Sequence, residues 1–258
     1  MITSNDNAAV KHLSLLLKKT KARKESGTYI VEGIRMFREV PEDIIEKIYV
    51  SESFAEKNSD TLSGRDYEIM SDKVFSHVSD TVTPQGIMAV VKMKKHTLED
   101  MFPKNEEPFI VLIDGLQDPG NLGTIIRCGE AAGISGVIMS RDTVDIYNPK
   151  TVRSTMGSLL RVPHMITDDI AALAEDLKKR GFTVVATELG AEKNYDEVDY
   201  RKPTAIFIGN EGNGLSKEAL DAANERIIIP MCGKVESLNA AIAASVCMYE
   251  ARRQRRNV

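Results

Sequence analysis

The chain has 258 residues, 34 of them basic and 38 acidic, for a formal net charge of −4. Hydrophobic residues make up 42% and charged residues 28%, which supports a buried core and excludes a disordered or collagen-like chain. At about 150 residues per domain the length sets a prior of roughly two domains.

No apolar run approaches the ~18 residues of a membrane span. Met1-Ile-Thr-Ser-Asn-Asp has neither a basic nor an apolar leader region, so the expectation is a cytoplasmic protein with no membrane contact. Cys128, Cys232 and Cys247 are too few and too far apart for a disulfide framework or a zinc site. The scattered His12, His77, His96 and His164 suggest no metal constellation. Two basic runs, Lys18–Lys24 and Arg252–Arg256, stand out from the near-neutral average. Each is either a phosphate-contacting patch or a solvated helix face or tail.

Val10, Leu13, Leu16 and Leu17 give residues 8–24 a helical period. Strands are expected at 29–31, 47–50, 68–70 and 85–91, with helices at 34–40, 51–57 and 72–78. This predicts a small α/β domain over 1–95. The polar, proline-bearing stretch 96–107 reads as a linker. From 108 to 258 a β–α rhythm takes over. Phe109–Ile113 is a continuous apolar run of the kind a doubly covered parallel strand has. Strands follow at 136–139, 183–186, 205–208 and 226–229, with helices to 132, at 168–180, at 215–224 and from Ser237 to Arg253. Residues 143–165 read as loop and helix around Asn148-Pro149.

Three of the apolar strands run into loops rich in glycine, asparagine or proline. In an open parallel sheet, ligands bind beyond the carboxyl ends of strands, so these loops are expected to be neighbours. The first is Asp114–Arg127, with Asp118-Pro119 suited to an N-cap and first helical position. Its Arg127 lies among small and apolar neighbours, where it either reaches toward a ligand or pairs with Glu130 on a solvated face. The second, Gly209-Asn-Glu211-Gly-Asn-Gly-Leu215, is neither a dinucleotide nor a P-loop fingerprint. It is a backbone wrapped around something, or a tight turn into a helix. The third is Ile229-Pro-Met231-Cys-Gly-Lys-Val-Glu-Ser237-Leu238-Asn239, with Ser237 as the expected N-cap of the closing helix. Cys232, near Arg226 and Lys234, is at most a weak thiolate candidate. No Ser–His–Asp order or paired carboxylate set is evident.

Taken together, Asn121-x-Gly123-x-x-x-Arg127, Gly209–Leu215 and Ile229-Pro-Met231 with Ser237-Leu238-Asn239 resemble the SpoU (TrmH) branch of the SPOUT RNA methyltransferases. The resemblance covers residues 108–254. The segment Ser79–Gly86 also looks like the end of the substrate-binding domain that often precedes this catalytic domain. Glu32 and Arg35 in Val-Glu-Gly-Ile-Arg look family-like without an assigned chemistry.

The resemblance implies a parallel-sheet SPOUT domain with a deep trefoil knot, preceded by a smaller α/β substrate-binding domain. It also implies a homodimer and S-adenosylmethionine (SAM) as cofactor. By position, Gly209, Ile229 and Leu238, and more softly Thr187 and Met231, would contact SAM. Asn121, Arg127, Glu211, Ser237 and Asn239 would be the catalytic set. The expected reaction is methyl transfer to a ribose 2′-hydroxyl, on ribosomal rather than transfer RNA. Lys18, Lys19, Lys21, Arg23 and Lys24 are the expected RNA-binding patch. A catalytically silent RNA-binding or ribosome-assembly protein is the competing reading. A nucleotide-binding oxidoreductase is disfavoured by the missing G-x-G-x-x-G.

Overall fold

The computed structural model describes residues 1–256. Contacts divide the chain into two compact units, Met1–Lys94 with Asp145–Leu160, and Lys95–Val144 with Arg161–Val258.

The first unit begins with α1 (Ala8–Lys18), whose N-terminus is capped by the Asn7 side chain. The chain straightens at Lys19, so the single helix expected over 8–24 is two, with α2 at Thr20–Ser26. There follow β1 (Thr28–Glu32), α3 (Ile34–Glu39), β2 (Ile45–Ser51), α4 (Glu52–Lys57), α5 (Ser59–Leu62), β3 (Tyr67–Met70), α6 (Asp72–Val78) and β4 (Ile87–Lys92). The sheet order is β1-β4-β2-β3. β4 is antiparallel to both its neighbours, and β2 runs parallel to β3. Val10, Leu13, Leu16 and Leu17 from α1 join Ile30, Tyr49, Phe75, Met88 and Val90 in one core cluster, which is what the 3.6-residue period demands of an amphipathic helix on a sheet.

The second unit is an all-parallel seven-stranded sheet. Its strands and helices are β5 (Phe109–Ile113), α7 (Pro119–Ala132), β6 (Gly136–Ser140), β7 (His164–Thr167), α9 (Ile170–Lys179), β8 (Thr183–Thr187), β9 (Lys193–Asn194), β10 (Thr204–Ile208), α10 (Lys217–Ala222), β11 (Glu225–Ile228) and α11 (Ala240–Arg255). The order is β7-β6-β5-β10-β8-β11-β9, and every pairing is parallel. β5 and β10 are buried along their whole length, as strands covered on both faces must be. Ile110, Leu112, Ile138, Leu177, Val184 and Phe207 lie in one cluster with helix residues Ala174 and Ala219. Elsewhere α7 packs on α11. A Cβ on Gly129 would meet the end of the Ile134 side chain at 2.4 Å and the Met248 sulfur of α11 at an ordinary 3.4 Å, so the glycine makes room for Ile134 beside the helix contact.

Four features differ from the sequence expectation. Residues 96–107, read as a linker, fall within the second unit, with Leu98 and Met101 buried in its core. Residues 145–160, expected within the C-terminal domain, belong with the first unit. They carry α8 (Pro149–Thr155), and Tyr147 packs on Tyr29 with ring centroids 4.7 Å apart. The stretch read as loop and helix up to 165 also contains the start of β7, and β9 was too short to carry a sequence period. Finally, two of the four arginines in the terminal basic run are engaged within the chain, while Arg252 and Arg256 are exposed. Arg255 donates to the carbonyls of Tyr200 (2.7 Å), Glu107 (2.6 Å) and Lys202 (2.8 Å) and stacks over Phe109, and Arg253 pairs with Glu250.

Candidate active site

Between β5 and β10 the chain changes direction across the sheet, with β6 and β7 on one side and β8 and β11 on the other. Loops at such a switch point leave a crevice beyond the strand ends. The two loops that leave β5 and β10 are stitched together there. Asp114 accepts from the backbone N–H and hydroxyl of Ser216 at 2.8 and 2.7 Å. Asn210 donates to the Gly115 carbonyl at 2.8 Å. The same Asn210 side chain accepts from the N–H groups of Gly212 and Asn213 at 2.9 and 3.0 Å. The loop therefore curls back on itself, and Asn210 and Gly214 exchange backbone hydrogen bonds. Gly209 sits under this curl. A Cβ there would lie 2.4 Å from the Gly214 carbonyl carbon.

Glu211 projects from the curl onto the N-terminus of α7. It accepts from the backbone N–H of Gln117 (3.1 Å) and Asp118 (3.0 Å) and from Asn121 Nδ2 (2.9 Å). Desolvation pushes its pKa upward, but these donors outweigh it and hold the carboxyl below the usual glutamate range. Asn121 Oδ1 in turn accepts from Asn239 Nδ2 at 2.9 Å. Asn239 Oδ1 caps α11 through the N–H groups of Ala241 and Ile242. The expected cap, Ser237, is not one. It lies two residues before Asn239, which is positioned to meet both the helix and Asn121.

Beside this network lies a cleft of about 610 Å³, within the size range of small-molecule sites. Thr187, Gly209, Ile229, Met231 and Leu238 line it, as do Glu211, Ser237 and Asn239. Thr187 is held by a bond from its hydroxyl to the Phe207 carbonyl at 3.2 Å. Among the described residues, no hydrogen bond engages the backbone of residues 229–238. Apolar side chains beside unengaged backbone donors and acceptors suit a ligand that is recognised through main-chain groups.

The structure thus brings Asn121, Glu211 and Asn239 into one hydrogen-bonded chain, with Ser237 on the adjoining cleft. It does not bring Arg127 there. Arg127 is exposed, is not among the cleft residues of its own chain, and its side chain makes no hydrogen bond or ion pair among the described residues. The alternative pairing with Glu130 is also not made, since Glu130 is engaged by Arg161.

In the expected RNA patch, Lys18, Lys19, Lys21 and Lys24 are exposed, but Arg23 is not. Its guanidinium is buried against Asp145 at 2.6 Å and donates to the carbonyls of Leu16 and Leu17 and to Thr20. Arg23 is therefore withdrawn as an RNA contact. Asn210 and Asp114 were missed as the residues that join the loops. Their signal was present, since each lies within two residues of the end of a buried strand and next to a glycine. Cys232 is an exposed free thiol. No group of side chains suited to a metal ion occurs among the described residues.

Comparison with known proteins agrees with this geometry. Residues 108–249 match the SpoU rRNA Methylase family, and residues 7–89 match the MRM3-like substrate binding domain. The chain is 34% identical to the 23S rRNA (guanosine(2553)-2'-O)-methyltransferase RlmP of Bacillus subtilis, over 97% of this chain and 98% of that protein. It superposes on the SpoU methyltransferase AviRb of Streptomyces viridochromogenes, solved in complex with the cofactor AdoMet, with a TM-score of 0.87 at 29% identity, covering 98% of this chain and 100% of the other. An AdoMet-bound rRNA methyltransferase from Sinorhizobium meliloti gives a TM-score of 0.82 at 32% identity, over 98% of this chain and 97% of that one. With three loop motifs gathered at one end of a parallel sheet and a family match over most of that sheet, the chain belongs to the SpoU rRNA methylase family.

Proposed function

We propose that this protein transfers a methyl group from SAM to a ribose 2′-hydroxyl of ribosomal RNA. The observation that carries the reading is the Glu211–Asn121–Asn239 chain beside a cleft whose main-chain groups at 229–238 are unengaged. The cleft fits the cofactor. Gly209, Ile229 and Leu238 would hold it largely through backbone groups, with Thr187 and Met231 beside them. SAM, when bound, supplies a methyl group activated by a sulfonium centre.

The residues of the chain then have distinct tasks. A ribose hydroxyl is a poor nucleophile and must shed its proton, here to solvent water at the open cleft, as it attacks. A guanidinium has donors only and no acceptor, so Arg127 acts by stabilising the developing alkoxide charge and gripping an adjacent phosphate. Glu211 already accepts three hydrogen bonds. That commits it to orienting Asn121 and, through it, Asn239, rather than to taking a proton. Ser237 is placed on the cleft to bond the ribose.

Arg127 is absent from the cleft of its own chain, which supports a homodimer in which the partner copy supplies it. The exposed Ile242 and Tyr249 on the Ala-rich helix α11 suit such an interface. A knotted path through the three loops, as in the family, belongs to the same reading, as does a cytoplasmic setting; no helix among the described residues is long and apolar enough to cross a membrane.

The test is tritium transfer from labelled SAM to bacterial rRNA. Wild type should label the RNA at the ribose. Arg127→Lys should lose on the order of 10²-fold or more in turnover while SAM affinity, read by calorimetry, stays unchanged. RNA binding without transfer by the wild type would instead favour a silent RNA-binding protein.

A further inference from the structure

Two stretches of the first unit that the cleft chemistry does not use turn out to be one device. They are Val-Glu32-Gly-Ile-Arg35 and the loop Ser79–Gly86 between α6 and β4. Glu32 is buried at 7% exposure. Its carboxylate accepts from the hydroxyls of Ser79 and Thr81, the latter at 2.8 Å, and from the Asp80 N–H at 3.4 Å. Gln85 closes the far end of the loop by accepting from the Ile34 N–H at 2.9 Å. Gly86 has a positive φ of 85°, and a Cβ there would meet Ser51 at 2.7 Å and Phe54 at 2.8 Å.

Burying a carboxylate is costly unless donors compensate. Among the described residues every donor to Glu32 comes from the loop, so this buried carboxylate holds the loop's shape. Surface loops with nothing to present can be left mobile. This one is tied down at Glu32 and at the Ile34 N–H, and its tip presents a fully exposed Val82 and an exposed Thr83.

Two arginines flank the loop, one of them paired with a loop carboxylate. Asp80 pairs with Arg153 of α8 at 2.8 Å. Arg35, next to the Ile34 anchor, is exposed and has no side-chain partner among the described residues. The helix bearing Arg153 ends on Met156, exposed, and at a φ of 49° the one non-glycine residue with positive φ among the described residues. Hydroxyl and guanidinium groups suit phosphate and ribose oxygens, and an apolar side chain suits the face of an unstacked base.

We propose that the loop Ser79–Gly86, continued by Arg35 and Arg153, is the RNA-reading surface of the first unit, with Val82 as its contact point and Glu32 as a positioning residue. The proposal rests on the reading of the chain as an enzyme of RNA, and it is supported by the match of residues 7–89 to a substrate binding domain.

The experiment measures the affinity of the full chain for protein-free bacterial 23S rRNA by filter binding, with methyl transfer and SAM affinity followed in parallel. Val82→Glu changes a fully exposed side chain and leaves folding intact. It should weaken RNA binding by about fivefold or more, with SAM affinity unchanged, while Val82→Thr stays near wild type. Glu32→Ala should weaken binding similarly, and Glu32→Gln, which keeps an acceptor oxygen, should recover part of it.

A Val82→Glu protein that binds RNA like the wild type would overturn the proposal. So would a Lys21→Glu/Lys24→Glu protein that loses all the affinity while the loop variants lose none, or a wild type with no affinity for the RNA. A wild type that binds RNA but transfers no methyl group refutes the enzymatic reading only. In that case the affinity ratio of Val82→Glu still decides the role of the loop.

Discussion

Glu211 and Asn121, 90 residues apart in sequence, meet in a hydrogen bond of 2.9 Å between Oε1 and Nδ2. The bond joins the loop after β10 to the first turn of α7. Through Asn239 it also reaches the start of α11, so three strand-end loops share one polar spine.

Glu211→Gln places an amide NH₂ among the N–H donors of Gln117 and Asp118, where only an acceptor fits. Turnover should fall on the order of 10- to 100-fold, because the positioning of Asn121 and Asn239 is lost. The pH dependence follows from the depressed pKa of Glu211. Stability from this group is full above the unfolded value of about 4.3 and is lost as pH falls through the lower folded value. The Tm difference between wild type and Glu211→Gln should therefore be constant from pH 7 to about 5 and shrink below about 4. His164 contributes separately to both proteins. Burial lowers its pKa to about 4, so the folded protein keeps it neutral while the unfolded chain takes up a proton below about pH 6.5, and stability falls from there down to about pH 4. A Tm difference that persists unchanged at pH 3 would refute the Glu211 assignment.

Arg23 and Asp145 form a pair with side chains only 3% and 12% exposed. Arg23→Ala strands the Asp145 charge and frees the Leu16 and Leu17 carbonyls, at a cost of about 3–5 kcal/mol. The loss should appear in the melting of the first unit. Hydrogen exchange should show it in α1, α2 and residues 145–160, while α7 and α11 keep their protection. Uniform loss of protection over both units would contradict this.

Gly209→Ala forces a methyl group against the Gly214 carbonyl. The Asn210–Gly214 curl must open, at an overpacking cost of about 1–3 kcal/mol. SAM affinity should drop while the fold, read by circular dichroism, is kept. Gly212→Ala, where the nearest contact is 3.6 Å to Asn210, is the matched control and should bind SAM nearly as the wild type does. Equal affinities for the two variants would remove Gly209 from the cofactor site.

Much of the architecture was legible in the residues themselves. The apolar run Phe109–Ile113 reads as a strand covered on both faces, and Val10, Leu13, Leu16 and Leu17 read as the inner face of a helix. The spacing of Asn121, Gly209–Leu215 and Ser237–Asn239 relative to their strands already placed the three loops at one sheet end. These are short-range properties, set by the periods of strand and helix and by the turn chemistry of glycine and asparagine. What the sequence could not decide was where each polar group finds its partner. Arg23 looked like one cation in a solvated run. It is buried because a carboxylate 122 residues later in the chain folds against it. Arg255 is likewise taken up by carbonyls from distant segments, and Asn239 rather than Ser237 caps α11 because Asn121 holds its amide from the other side. Residues 145–160 join the first unit although they lie between two strands of the second. A side chain's charge is local, but whether it meets water or a buried counter-charge depends on which distant segments pack beside it, and only the tertiary structure determines that.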